Sequence, residues 1–348
     1  MNTYTTADFD YTLPSELIAQ HPSHFREDAK ILVPSMNMRI FPFRQIVDLF
    51  DENDVLILNN TQVMKARMNA VCRRTGIKHE LLFVEPVDAR RWDVMIKNIR
   101  RLKEGDALDL TESISVILEK KKDYFGTVIT EKSIDIQRML QKYGGVPLPP
   151  YIRRKNTDSM EEDESRYQTV YSTWIGSAAA PTAGFHFTHE LLTQLKKKGV
   201  LCVDVLLHIG PGTFLPVNTA EPSSHIMHRE WMELSLQTAE ILNQSREKGC
   251  RLTAVGTTSI RVLETCFSHN RFHSYKGHTD LFIYPPKKVS SCDRLITNFH
   301  QPKSTLLMLV SAFSGVEFIR QIYARAIREK MRFFSYGDAV LLENYCKE

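Results

Sequence analysis

Apolar positions recur with two different periods along this chain, and the change of period divides it. From about 65 to 142 they alternate with polar ones, as in Arg67-Met68-Asn69-Ala70-Val71, Glu80-Leu81-Leu82-Phe83-Val84 and Trp92-Asp93-Val94-Met95-Ile96. Two more such runs cover 114–118 and 124–129, and Thr75-Gly76 and Glu104-Gly105-Asp106 supply turn signals between runs. Period two places successive side chains on opposite faces of a strand, and short strands at this spacing predict a small antiparallel barrel. A helix near 134–143 and the rigid Pro147-Leu148-Pro149-Pro150 close this unit, taken as 65–150. On either side, in 1–64 and 151–348, short apolar runs alternate with helical spacing. Strands are expected at 54–58, 200–207, 252–255, 280–284 and 295–299. Helices are expected at 191–198, after Thr188 as N-cap and before Gly199 as stop, and at 235–248, capped by Ser235. Further helices follow Gly256 and Ser304, and 316–330 carries apolar residues at 318, 319, 322, 323, 326 and 327, one helix face. The pattern predicts an α/β domain with a β-barrel inserted into it.

One segment breaks the pattern. Residues 153–166 are charged and nearly free of apolar side chains, which predicts a mobile surface loop. The aromatic run Tyr167, Tyr171 and Trp174 then leads into 178–214, where Pro181, Thr182, Gly184 and His186 crowd one loop and His208, Gly210 and Gly212 another.

Composition narrows the class. The 348 residues are 43% hydrophobic, enough for a sizeable core, and the net charge of +4 is compatible with a nucleic-acid partner without demanding one. None of the six cysteines forms Cys-x-x-Cys, so neither a zinc knuckle nor a redox motif is visible. The first residues lack the pattern of a signal peptide, and the longest apolar run, 306–313, falls far short of the roughly 20 residues of a membrane helix. A soluble cytoplasmic protein without a membrane partner is expected.

Three strand ends share one design: 208–214, 256–261 and 300–304. At each, a polar or glycine-containing loop follows an apolar strand, and in the last two a helix begins. Free N–H groups at a helix start suit carboxylate or phosphate. Thr257, Thr258 and Ser304 taken singly fit plain N-caps. Three such ends in one chain point to a ligand crevice at the carboxyl edge of a sheet. Asn59-Asn60-Thr61 is a further polar cluster of this kind. In His225-Ile226-Met227-His228-Arg229-Glu230, the His-x-x-His pair has no third ligand nearby, so no metal is expected. His228 and Glu230, two apart, share one side of an extended segment and suit acid–base work. The run Lys97, Arg100, Arg101 and Lys103 fits a solvated loop and an RNA contact equally.

Blocks through nearly the whole chain resemble the S-adenosylmethionine:tRNA ribosyltransferase-isomerases of queuosine biosynthesis. They include Phe9-Asp10-Tyr11-x-Leu13-Pro14, Leu58-Asn59-Asn60-Thr61-x-Val63 and Tyr167-Gln168-Thr169-Val170-Tyr171. Ala179-Ala180-Pro181-Thr182-Ala183-Gly184-x-His186-Phe187 and Leu207-His208-x-Gly210-x-Gly212-Thr213-Phe214 follow, then His225-x-Met227-His228-x-Glu230 and Gly256-Thr257-Thr258-Ser259-x-Arg261. Thr297-Asn298-Phe299-His300-x-Pro302-x-Ser304 and Ser335-Tyr336-Gly337-Asp338 complete the series. Gln62, Pro211 and Pro286 depart from the usual residues of that family.

The resemblance implies a three-layer α/β/α domain carrying the barrel. It implies transfer and isomerisation of the ribosyl group of S-adenosylmethionine onto 7-aminomethyl-7-deazaguanine at the tRNA wobble position, giving epoxyqueuosine and releasing adenine and methionine. S-adenosylmethionine is then a consumed co-substrate, no further cofactor is implied, and a monomer is expected. His186, His208, His228 and Glu230 are the implied acid–base groups. Tyr171, Phe185 and Phe214 are candidates to face the sulfonium. Thr257, Thr258 and Arg261 suit the methionine carboxylate or a tRNA phosphate, and Thr182, Gly184, Gly210, Gly212, Thr213, His300 and Ser304 complete the expected pocket. The loops 181–187 and 208–214 are expected to be two of its walls. Arg67, Lys97, Arg100, Arg101 and Lys103 are candidate tRNA contacts. An S-adenosylmethionine-dependent RNA methyltransferase and a non-catalytic tRNA-binding protein remain the alternatives; the glycine-rich first loop of a conventional methyltransferase is missing.

Overall fold

The structure, a computed structural model, describes residues 4–130, 134–154, 160–214 and 217–346, with backbone only at 160, 213 and 214. The chain opens with strands β1 (Lys30–Val33), β2 (Arg39–Pro42), β3 (Asp54–Asn59) and β4 (Thr61–Val63). It then forms β5 (Arg67–Cys72), β6 (Lys78–Pro86), β7 (Arg91–Ile96), β8 (Ala107–Asp109), β9 (Ser115–Lys122) and β10 (Phe125–Thr130). Helices α1 (Ile136–Tyr143) and α2 (Met160–Arg166) lead to β11 (Trp174–Ser177), α3 (His189–Lys197), β12 (Leu201–Leu207) and β13 (Glu230–Leu234). The remainder is α4 (Leu236–Glu247), β14 (Arg251–Val255), α5 (Thr257–Thr265), the hairpin β15 (Phe267–Ser268) and β16 (Arg271–Phe272), β17 (Tyr275–Thr279), β18 (Arg294–Asn298), α6 (Thr305–Ser314), α7 (Val316–Arg328) and β19 (Ala339–Glu343).

Among the described residues nine strands build one sheet, in the order β17-β13-β12-β3-β14-β18-β19-β1-β2. Its centre, β12-β3-β14-β18, is parallel, and β3 is buried at every position. Alternation sorts its side chains between two cores. Val55 and Ile57 join Val203, Leu252, Ala254 and the inner faces of α4 to α7. Leu56 and Leu58 join Val255, Ile296, Phe43, Ile46, Phe187 and the apolar face of α3. Burial on both faces explains why these strands read as continuous apolar runs, and it makes the domain three layers, α/β/α. Thr188, Ser235 and Ser304 cap α3, α4 and α6, each accepting from the backbone N–H three residues on.

Strands β5 to β10 close into a six-stranded barrel. Its inward positions, Met68, Ala70, Leu81, Phe83, Val94, Val116 and Leu118 among them, are packed with Ile136, Met139 and Leu140 of α1.

Two expectations fail. Residues 280–284 are not a strand: pairing of β17 with β13 ends at Thr279, the Leu281 N–H donates to Thr279 Oγ1 at 3.2 Å, and the Leu281 carbonyl accepts from Arg261 Nε. Side chains have taken the bonds a ladder would need. The charged segment 153–166 is anchored where described: α2 occupies 160–166, and Asp163, 7% exposed, accepts from Arg154 Nε at 2.7 Å and Nη2 at 2.6 Å. Residues 155–159 lie outside the described residues. Among the described residues no single helix is long and apolar enough to cross a membrane.

Candidate active site

The central parallel strands end together at Leu207, Asn59, Val255 and Asn298, and the loops that follow enclose a narrow cavity of about 90 Å³. Thr182, Thr257, Thr258, Arg261, His300 and Ser304, six of the residues singled out in the sequence, line it, with Tyr151, Tyr167, Asn298 and Ser335. Gly256, at φ 86°, adopts a left-handed backbone that turns β14 into α5 and brings the start of that helix to the cavity. Asn59 ties the edge together: its Nδ2 donates to Leu207 O at 3.0 Å and Thr258 Oγ1 at 3.1 Å, while its Oδ1 accepts from Leu207 N at 3.1 Å. Ser304 also caps α6, so its hydroxyl is partly committed.

Arg261 and Glu230 form a buried ion pair, each 5% exposed. Glu230 Oε1 accepts from Gly210 N–H at 2.7 Å and Oε2 from Arg261 Nη1. Both carboxylate oxygens are therefore bound. Arg261 Nε donates to Leu281 O at 3.2 Å, and its buried Nη2 has no partner among the described residues. The pair joins the cavities: Arg261 lines the narrow one and a small neighbour shared with Gly212, His225 and His228; Glu230 lines that neighbour and a larger cavity of about 550 Å³.

The four histidines occupy different places. His208 lines the larger cavity with Ile209 and Gly210. Its N–H donates to Trp231 O at 2.8 Å, its Nδ1 lies 2.8 Å from Thr61 Oγ1, and burial pushes its pKa down to about 4. Gly176 is required beside it, because a Cβ there would sit 2.5 Å from His208 Nε2. His300 has its Nε2 3.0 Å from Thr297 Oγ1 and a pKa pushed by burial to about 3. Its backbone is clamped by the hydroxyls of Tyr323 and Tyr11. His186 lies off the narrow cavity, packed on Phe43, with Nε2 3.4 Å from Asn298 Nδ2; burial, with Arg332 and Arg26 nearby, pushes it to about 3. His228 is exposed, and its ring meets Phe125 of the barrel at 5.1 Å.

The structure does not bring every candidate to this edge. Tyr171 has a buried hydroxyl without a partner among the described residues, and a Cβ on Gly184 would collide with it. Phe185 packs between Tyr167 and Tyr336. Thr213 and Phe214 sit in a single turn, with side chains outside the described residues. The loops 181–187 and 208–214 both reach the narrow cavity, the first through Pro181, Thr182 and Ala183 and the second through Ile209. On the barrel, Arg67 pairs with Glu80 at 2.9 Å. Lys97, Arg100, Arg101 and Lys103 are exposed around a turn at Ile99–Arg101. Sequence reasoning missed Asn298 and Thr297 as site residues. Their signal was present, since both end a strand with polar side chains just before His300.

Comparison with known proteins bears on this geometry. The model of the queuosine biosynthesis protein family matches residues 6–342. An S-adenosylmethionine:tRNA ribosyltransferase-isomerase from Sulfurihydrogenibium sp. (strain YO3AOP1) is 43% identical over 339 residues, spanning 97% of this chain and 99% of its own. Its counterpart from Vesicomyosocius okutanii is 44% identical over 336 residues, 97% of each chain. The crystal structure of an S-adenosylmethionine tRNA ribosyltransferase from Thermotoga maritima superposes with a TM-score of 0.54 at 32% identity, covering 96% of this chain and 99% of that one.

Proposed function

The chain belongs to the queuosine biosynthesis protein family, and we propose from that premise how its site works as an S-adenosylmethionine:tRNA ribosyltransferase-isomerase. The substrates are S-adenosylmethionine and a tRNA carrying 7-aminomethyl-7-deazaguanine at the wobble position. The ribosyl group moves to the aminomethyl arm and is isomerised to an epoxycyclopentane, while adenine and methionine leave. The observation that carries the site assignment is Arg261, buried, with one terminal nitrogen unpartnered, at the helix start formed by Thr257 and Thr258. A carboxylate there gains a charge-assisted bond and the field of the helix N-terminus. The methionine end of the substrate therefore binds in the narrow cavity, and the nucleoside reaches past Ile209 into the larger one.

The chemistry assigns the remaining groups. A sulfonium acidifies the adjacent C5′ protons, so an unprotonated base must remove one. Burial keeps His208 and His300 unprotonated at neutral pH, the state a base requires. His208, in the larger cavity, takes the nucleoside; His300 bonds the bound substrate; His228, at the mouth, faces the incoming amine. His186 acts through Asn298, and Glu230 through Arg261 and Gly210, as positioning residues. Lys97, Arg100, Arg101, Lys103 and, beside Glu80, Arg67 hold tRNA phosphates.

Adenine release with a modified anticodon stem-loop tests the assignment. His208→Ala and His300→Ala are expected to lower kcat on the order of 10²- to 10⁴-fold. Full turnover in both variants refutes these roles, and S-adenosylhomocysteine as the product would refute the reaction.

A further inference from the structure

We propose that the β9–β10 hairpin of the barrel, Lys120-Lys121-Lys122-Asp123-Tyr124-Phe125, is the element that grips the RNA substrate beside the reacting nucleotide. This rests on the tRNA reading above and names the contact.

Lys120, Lys121, Lys122, Asp123 and Tyr124 are all exposed, Tyr124 at 53%. Lysines often guard free sheet edges, but this barrel is closed and has none to guard. Lys120 and Lys122 form no ion pair among the described residues, and neither does Arg229 across the cleft. All three, with His228, line one cavity of about 560 Å³ between the two domains. Its four cations, Lys120, Lys121, Lys122 and Arg229, outnumber its three carboxylates, Glu85, Asp93 and Glu104; Asp93 accepts from Thr127 Oγ1 at 2.8 Å and Glu104 from Lys121 N–H at 3.1 Å.

The hairpin also extends the other basic run. Lys121 Nζ caps the Leu102 carbonyl at 2.5 Å, and Ile96 N–H donates to Tyr124 O at 3.0 Å. The turn carrying Arg100 and Arg101 is therefore tied to the hairpin. At the other end, Phe125 packs on His228. A cationic track thus runs from Arg100 over the hairpin to Arg229 and the mouth of the site. A phosphodiester backbone fits such a track, and a solvent-exposed tyrosine at its tip offers a stacking surface to an unpaired base.

The test uses the full chain, K120E/K122E and Tyr124→Ala. Lys121 is left alone because its ammonium supports the fold. Affinity for a modified anticodon stem-loop is read by anisotropy across a salt series, beside affinity for S-adenosylmethionine alone. K120E/K122E is expected to weaken RNA binding at least tenfold and flatten the salt slope by about 1.4, two single-strand phosphate contacts. Tyr124→Ala is expected to weaken it on the order of tenfold. S-adenosylmethionine affinity should not change. Unchanged RNA affinity and slope in both variants overturns the proposal. A wild-type protein that binds this RNA through the hairpin yet releases no adenine overturns the catalytic reading instead.

Discussion

Arg261 and Glu230 lie 31 positions apart in sequence and meet with each only 5% exposed. Removing one partner of a buried pair leaves the other charge uncompensated. Arg261→Met is therefore expected to destabilise the fold by about 3–5 kcal/mol and to weaken S-adenosylmethionine binding at least tenfold. Adding Glu230→Gln should recover much of the stability but not the affinity, which urea unfolding and calorimetry separate. Recovery of both would remove Arg261 from the binding site. His186 and His300 make a second prediction. Their folded pKa values, about 3, lie below the ordinary 6.5. The unfolded chain therefore takes up protons first as the pH falls. The stability is fully present above pH 6.5 and is lost below it, at about 1.4 kcal/mol per pH unit for each histidine. Urea midpoints between pH 7 and 5 should show this slope, and His186→Asn should reduce it by one proton. These pairings were invisible in sequence because they join distant strand ends; the residue types at each end were visible.

At the scale of elements, the turn Thr182–His186 is built around a glycine. Gly184→Ala would drive a methyl group into the Tyr171 hydroxyl, and overpacking of this kind destabilises by about 1–3 kcal/mol. Tyr171→Phe removes an oxygen that bonds nothing among the described residues, so alone it should be close to neutral. It should relieve Gly184→Ala only in part, because the new methyl group would still meet Thr169 Cγ2 at 2.7 Å and Tyr171 Cζ at 2.9 Å. Thermal unfolding of the four proteins decides this; a double variant no more stable than Gly184→Ala alone would mean that the hydroxyl carries none of the strain. What the sequence made legible here were locally determined elements. The helices α3, α4 and α6 announced themselves through Thr188, Ser235 and Ser304, and the barrel strands through alternation. Strands β2 and β17 went unseen because their neighbours in the sheet, not their own mixed composition, make them strands; β1 and β19 are short apolar runs, Ile31–Val33 and Ala339–Leu342, whose signal was present and passed over. Helix α2 went unseen because its order comes from Arg154 and Asp163 bonding across the segment.

For the whole molecule, the proposed chemistry lies at the edge of the parallel sheet and the proposed RNA contacts on the barrel. The edge of the sheet where the cavities open was readable from three strand-end loops. That the edge divides into a narrow cavity and a larger interdomain one was not, since it depends on where the barrel sits. RNA affinity should fall steeply with salt, and a salt-independent affinity would contradict the picture of phosphate contacts along the barrel. In the proposed reaction the ribosyl group itself is transferred. Mass spectrometry of a modified anticodon stem-loop, incubated with the protein and S-adenosylmethionine labelled uniformly in its ribose carbons, tests it most directly. The RNA is expected to gain every labelled carbon while unlabelled adenine and methionine appear in equal amounts. An RNA that gains only an unlabelled methyl group, with labelled S-adenosylhomocysteine left behind, would contradict it.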